Sequence, residues 1–238
     1  MSDLPPPEPG AVMARFRELA SEVANAWRGG GRDLSPADVV AAMQEVGNGL
    51  ADAADGASAA DLSTLSDRAL LLLGEISEMA DASGLPDIAR ELELLGLPLV
   101  LWQTRHGVRI RILEPVVNAL AAQANRVREP GDLERLYGEM REITAATSPQ
   151  VTDAPDSTAS GHPWRLLLLN KAIVATRSHQ PRLIEEAYDD LVARFPAGAT
   201  AAFLEEAMGQ MDAIGYPATV SEVVNRYYQQ CATAQRLH

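Results

Sequence analysis

The side chains best suited to chemistry are few, and their spacing is poor. The histidines are His106, His162, His179 and His238, and no two lie three or four residues apart. A paired-histidine zinc site on one helix face is therefore not encoded. No Glu is followed three residues later by His, the arrangement that di-iron bundles use. The single cysteine, Cys231, cannot form an internal disulfide or a cysteine-based zinc site. It shares a helical stripe with Val220, Val224 and Tyr227, where a thiol behaves as a small apolar side chain. There is no Gly-x-Ser-x-Gly elbow. Gly29-Gly30-Gly31 lacks the spacing and the Lys-Ser/Thr pair of a phosphate loop. Carboxylates are abundant, but no spacing singles out an acid–base pair. The expectation is a chain with no catalytic residue, no metal ligand and no cofactor, and the balance leans away from an enzyme.

Charge is more informative. The 238 residues hold 33 acidic and 20 basic side chains, a net charge of −13. A phosphate backbone would be repelled by that average field, so a general nucleic-acid binder is disfavoured. The total conceals a polarity. Residues 33–93 contain 13 acids against two arginines, whereas residues 94–128 contain five arginines against one acid. The five are Arg105, Arg109, Arg111, Arg126 and Arg128. Such a belt either pairs with the neighbouring acidic segment or is left open to dock an acidic partner. No aromatic side chain interleaves it to stack on bases. Across the chain, Lys171 is the single lysine beside 19 arginines, a bias of the kind a GC-rich genome produces.

The elements that must position these residues read as helices. Aromatic residues are only 5% of the chain, and the apolar mass is Leu, Ala and Val, a mixture that favours helices over sheets. Stripes at steps of three and four recur: Val12, Phe16, Leu19, Val23, Trp27, then Val39, Met43, Val46, Leu50, Ala53. Ser35-Pro36-Ala37-Asp38 has the order of a helix start, with Ser at the N-cap, Pro at the first position and an acid at the third. Segment 59–83 is apolar nearly all round at its middle, which predicts a central helix. Shorter helices are expected at 86–95 and 98–106.

Three tripeptides share one form: Gly84-Leu85-Pro86, Gly96-Leu97-Pro98 and Gly215-Tyr216-Pro217. Each predicts a left-handed glycine closing one helix, an apolar residue folding back, and a proline opening the next. Leu73–Leu92 also aligns with Leu204–Val223 at an offset of 131, partly through this shared capping grammar. The stretch Val108–Ile112 alternates like a strand. An isolated strand has no partner, so a helix running from there to Val127 is expected, with Pro115 starting or kinking it. Helices at 131–147, 163–178, 181–195, 199–214 and 217–235 complete the set.

The predicted fold class is all-α, about ten to eleven helices in antiparallel hairpins, stacked as an irregular bundle or short α-solenoid of broadly tetratricopeptide-like architecture. The expected organisation is a disordered arm at 1–9, a main helical domain at 10–147, a flexible linker at 148–162 and a four-helix lobe at 163–238. No apolar run reaches the roughly 18 residues of a membrane span. The N-terminus has no signal-peptide pattern, so a cytoplasmic protein is expected. The function favoured by these features is a non-catalytic scaffold or adaptor that binds another protein through an acidic surface or peptide at the arginine belt. The alternative is an all-α ligand-binding protein or enzyme with a polar pocket around Trp102, His106, Trp164 and His179. Nucleic-acid binding through the belt ranks third.

Overall fold

In a computed structural model, residues 4–29, 34–53 and 59–236 are described. The first three residues of the N-terminal arm, Gly30, Gly31, Gly56, Ser58 and His238 lie outside them. Among the described residues the chain is all-α. Its helices are α1 (Pro9–Ala26), α2 (Pro36–Ala53), α3 (Ala59–Ala82), α4 (Pro86–Leu94), α5 (Gly96–Arg105), α6 (Glu114–Arg126), α7 (Pro130–Ala146), α8 (Pro149–Thr152), α9 (Pro163–Arg177), α10 (Pro181–Arg194), α11 (Ala197–Ile214) and α12 (Ala218–Arg236). None is long and apolar enough to cross a membrane.

The chain divides into two compact units. One comprises Met1–Gln123 and Ala145–Thr152, the other Ala124–Thr144 and Asp153–His238. Residues 124–144 thus group with the C-terminal helices. Residues 148–162 form the single turn of α8 and a series of turns in which Ser157 is buried.

In the first unit α3 is central, as its apolar middle predicts. It packs against α1, α2, α4 and α5, burying Ala69, Leu70, Leu73, Ile76 and Met79. At the start of α2 the Ser35 hydroxyl and N–H both donate to the Asp38 carboxylate, at 2.6 and 2.9 Å, and the Asp38 N–H donates back to the hydroxyl. This is a reciprocal capping box with Asp in the acid role. The Ser35 hydroxyl first, then its N–H, holds the Asp38 carboxyl below its ordinary pKa.

Two of the three Gly-apolar-Pro tripeptides close helices as their form predicts. Gly84 and Gly215 have φ of 77° and 81°. The following N–H groups, of Leu85 and Tyr216, reach back to Ala80 and Met211 at 2.9 and 3.2 Å, the long bond of a Schellman closure. The third differs. Gly96 is the first residue of α5, not a left-handed cap, and Pro98 sits in that helix's first turn, where no N–H is needed. Gly96 is small for packing: a Cβ there would come within 3.3 Å of Leu70 Cδ2 on α3.

The helix expected from Val108 begins only at Glu114. Residues 108–113 are non-helical instead, and Ile110 among them pairs with a helix end. The Ile110 N–H donates to Ala146 C=O at 3.0 Å, and the Ser148 N–H donates to Ile110 C=O at 2.9 Å, making an isolated parallel bridge between Ile110 and Thr147. The last carbonyls of α7 lack donors of their own, so the alternating segment finds there the partner that an isolated strand lacks. The alternation is real: Val108 and Ile110 are buried while Arg109 and Arg111 are exposed.

Two glycines, one inside α3 and one just past its end, separate backbone conformation from helix propensity. Gly84→Ala should destabilise by about 1 kcal/mol, because a Cβ disfavours the left-handed backbone. Gly74, inside α3 with open space around its Cβ position, should behave oppositely, with Gly74→Ala adding about 0.5–1 kcal/mol through helix propensity. Urea denaturation of the two variants checks both signs, and a loss in each would refute the cap at Gly84 as the cause.

Candidate functional site

The arginine belt is divided between the two units. Arg105, Arg109 and Arg111 belong to the first, Arg126 and Arg128 to the second, and all five side chains are exposed. Arg111 pairs with Asp67 of the acidic segment at 2.5 Å, and Asp67 keeps only 21% of its side-chain exposure. Arg109 donates to Ala145 C=O at 2.8 Å, adding a side-chain donor to the end of α7 that Ile110 also covers. In the first unit, then, the belt makes contacts within its own unit.

The second unit treats its arginines differently. α6 ends at Arg126, and its terminal carbonyls face a guanidinium from α9. Arg177 donates to Ala124 C=O and to Val127 C=O, both at 2.6 Å. Arg128 reaches the same Val127 carbonyl at 3.4 Å. Two guanidinium groups therefore converge on one oxygen. Burial first, then the charge of Arg128, lowers the Arg177 pKa from its ordinary value. The negative end of the helix dipole and the carbonyls that lack intrahelical donors hold the like charges together. Each planar fork keeps further N–H donors for a carboxylate or phosphate. Arg177 was not among the residues singled out from the sequence. Its signal was present, because a basic residue in the last turn of one helix commonly reaches a carbonyl end, but which helix it reaches depends on the fold.

The four proposed pocket residues fall two to each unit. Trp102 and His106, one turn apart on α5 and at its C-cap, have ring centroids 4.3 Å apart. His106 Nδ1 lies 2.8 Å from Trp102 C=O. His179 follows α9 in the left-handed region at φ 58° and meets the Tyr216 ring edge-on at 4.7 Å. Trp164 is buried on α9 with the Arg194 guanidinium over its ring at 5.2 Å. Each has a packing role inside its own unit. Cys231 is buried on α12, and burial raises its thiol pKa. No group of three or more metal-ligating side chains occurs among the described residues.

The second unit also holds a buried ionic centre. Lys171, the sole lysine, is 2% exposed on α9 and donates to Asp190 of α10 at 2.5 Å. Its ammonium lies 5.6 Å from the centre of the Tyr137 ring on α7. Burial first, then the Glu186 and Asp190 charges, pushes the Tyr137 pKa well above the ordinary tyrosine value. Close by on α10, Tyr188 shares a 2.8 Å hydrogen bond with Thr176 and sets its ring edge-on to Tyr227 of α12. Burial raises its pKa to about 12. The Tyr227 hydroxyl donates to Asp189 at 2.6 Å. Three consecutive residues of α10, fanned around the helix, thus tie it to α9 through Tyr188 and Asp190 and to α12 through Asp189.

The pair is asymmetric, and so is its mutational cost. Asp190 retains a third of its side-chain exposure, while Lys171 retains almost none. Asp190→Ala leaves a buried, unpaired ammonium and should cost about 3 kcal/mol. Lys171→Met leaves a carboxylate that water still reaches and should cost about 1 kcal/mol or less. Chemical denaturation of both variants measures the difference, and equal losses would contradict the burial asymmetry.

The chain matches no protein-family model, no curated protein and no solved structure.

Proposed function

We propose that the chain is a non-catalytic helical interaction protein, an adaptor that docks another protein through an acidic segment held by arginines. The observation that carries this reading is the convergence of Arg128 and Arg177 on the Val127 carbonyl at the end of α6. Like charges held that close favour any anion that can bridge them, and guanidinium forks suit carboxylates because two N–H donors meet two oxygens. Arg126, in the last turn of the same helix, adds a further exposed positive charge to that helix end. Arg109 and Arg111 contribute less, since each already has a partner in its own unit.

The test is a binding isotherm for a synthetic Glu-rich peptide with the full chain, in low and moderate salt. Arg126→Glu with Arg128→Glu should weaken binding by about tenfold or more, whereas Arg109→Glu should change it by less than about threefold. Circular dichroism establishes that the variants remain folded. The reading fails if the peptide does not bind at low salt, if the Arg126/Arg128 double variant binds as the parent does, or if RNA of equal charge binds through these arginines more tightly than the peptide.

A further inference from the structure

A second surface, of opposite polarity, lies between α11 and α12. We propose that it docks a cationic amphipathic helix, with apolar anchors entering the groove and basic side chains meeting its rim. The inference stands on its own geometry and does not require the arginine site.

The Gly215 closure turns the chain sharply, so α11 and α12 run back against each other as a tight hairpin. Near the closed end they leave an open groove of about 300 Å³, lined by Met208, Met211, Asp212, Ser221, Glu222 and Asn225. The volume lies at the lower limit of small-molecule sites and suits a few inserted side chains better than a cofactor. Its floor is methionine, an unbranched and polarizable side chain that adapts to differently shaped apolar anchors. Ile214, three residues beyond Met211 on the same helix, is 72% exposed. Met208, Met211 and Ile214 thus follow one another at steps of three along α11. A lone exposed isoleucine is ordinary on a protein surface; here it adds apolar area one turn beyond Met211, which lines the groove.

Charge selects the partner. α11 carries Glu205, Glu206 and Asp212 and no basic residue, and Glu222 faces it from α12. Of the cations of α12, Arg226 is engaged by Glu185 of α10. Asp212 and Glu222 are exposed on the rim, where carboxylates attract a cationic ligand and repel an anionic one. An apolar floor with an acidic rim complements a helix whose anchors recur at three and four residues and whose flanks are Lys or Arg.

The probe is a synthetic Leu/Lys amphipathic helix, with a Leu/Glu peptide of equal length as comparator, titrated into the full chain labelled at methionine methyls. The Met208 and Met211 signals should move, while those of Met43 and Met79 in the first unit should not. Asp212→Lys with Glu222→Lys should weaken affinity by about tenfold or more. Glu22→Lys with Asp52→Lys, an equal charge change at exposed sites of the first unit, should stay within about twofold of the parent. The proposal is overturned if the Leu/Lys peptide does not bind, if both double variants weaken it equally, if the Met208 and Met211 methyls stay still, or if the Leu/Glu peptide binds as tightly. Binding to anionic lipid vesicles through Ile214, without peptide binding, would also overturn it.

Discussion

The last turn of every helix leaves carbonyls without intrahelical donors, and much of this molecule is arranged to supply them. Gly84 and Gly215 do so by turning the chain left-handed, so that the next N–H groups reach back. At α7 the supply comes from Arg109 and Ile110, more than thirty residues upstream. At α6 it comes from Arg177, about fifty residues downstream, with Arg128 beside it. Local caps close hairpins, whereas distant ones bind separate stretches of chain into one unit. Arginine suits the distant role because its fork can hold two carbonyls at once while remaining charged.

The all-α fold class and most helix starts are legible in the sequence because their causes are local. Ser35, Pro36 and Asp38 form their cap from four consecutive residues, and the apolar middle of α3 declares a helix that others surround. Legibility fails where the cause is distant. Val108–Ile112 carries a true strand alternation, but its partner, the end of α7, is invisible to a periodicity argument. Gly96 resembles Gly84 in its tripeptide. It differs in what stands opposite, since only the folded chain brings Leu70 against it.

The charge pattern shows the same division. A net charge of −13 resolves along the sequence into an acidic segment and a basic belt, and in the first unit the two meet directly at Arg111 and Asp67. The belt's other end joins a cation, Arg177, that sequence proximity does not reveal. Lys171 is the converse case. It is conspicuous in the sequence as the one lysine, but its burial is not legible there, since Leu166 and Ile173 of the same apolar stretch of α9 are exposed. Its partner Asp190 lies on another helix and is one of many carboxylates, so only the fold identifies it.

The central claim is that the carbonyl end of α6 gathers arginines into a cationic surface that an acidic segment can occupy. It is tested most directly by following arginine side-chain Nε–H signals during titration with a Glu-rich peptide. The account predicts that the Arg126 and Arg128 signals shift together, saturably and at the same midpoint, while the Arg111 signal, held by Asp67, stays in place. Equal shifts at all three, or movement at Arg111 alone, would contradict it.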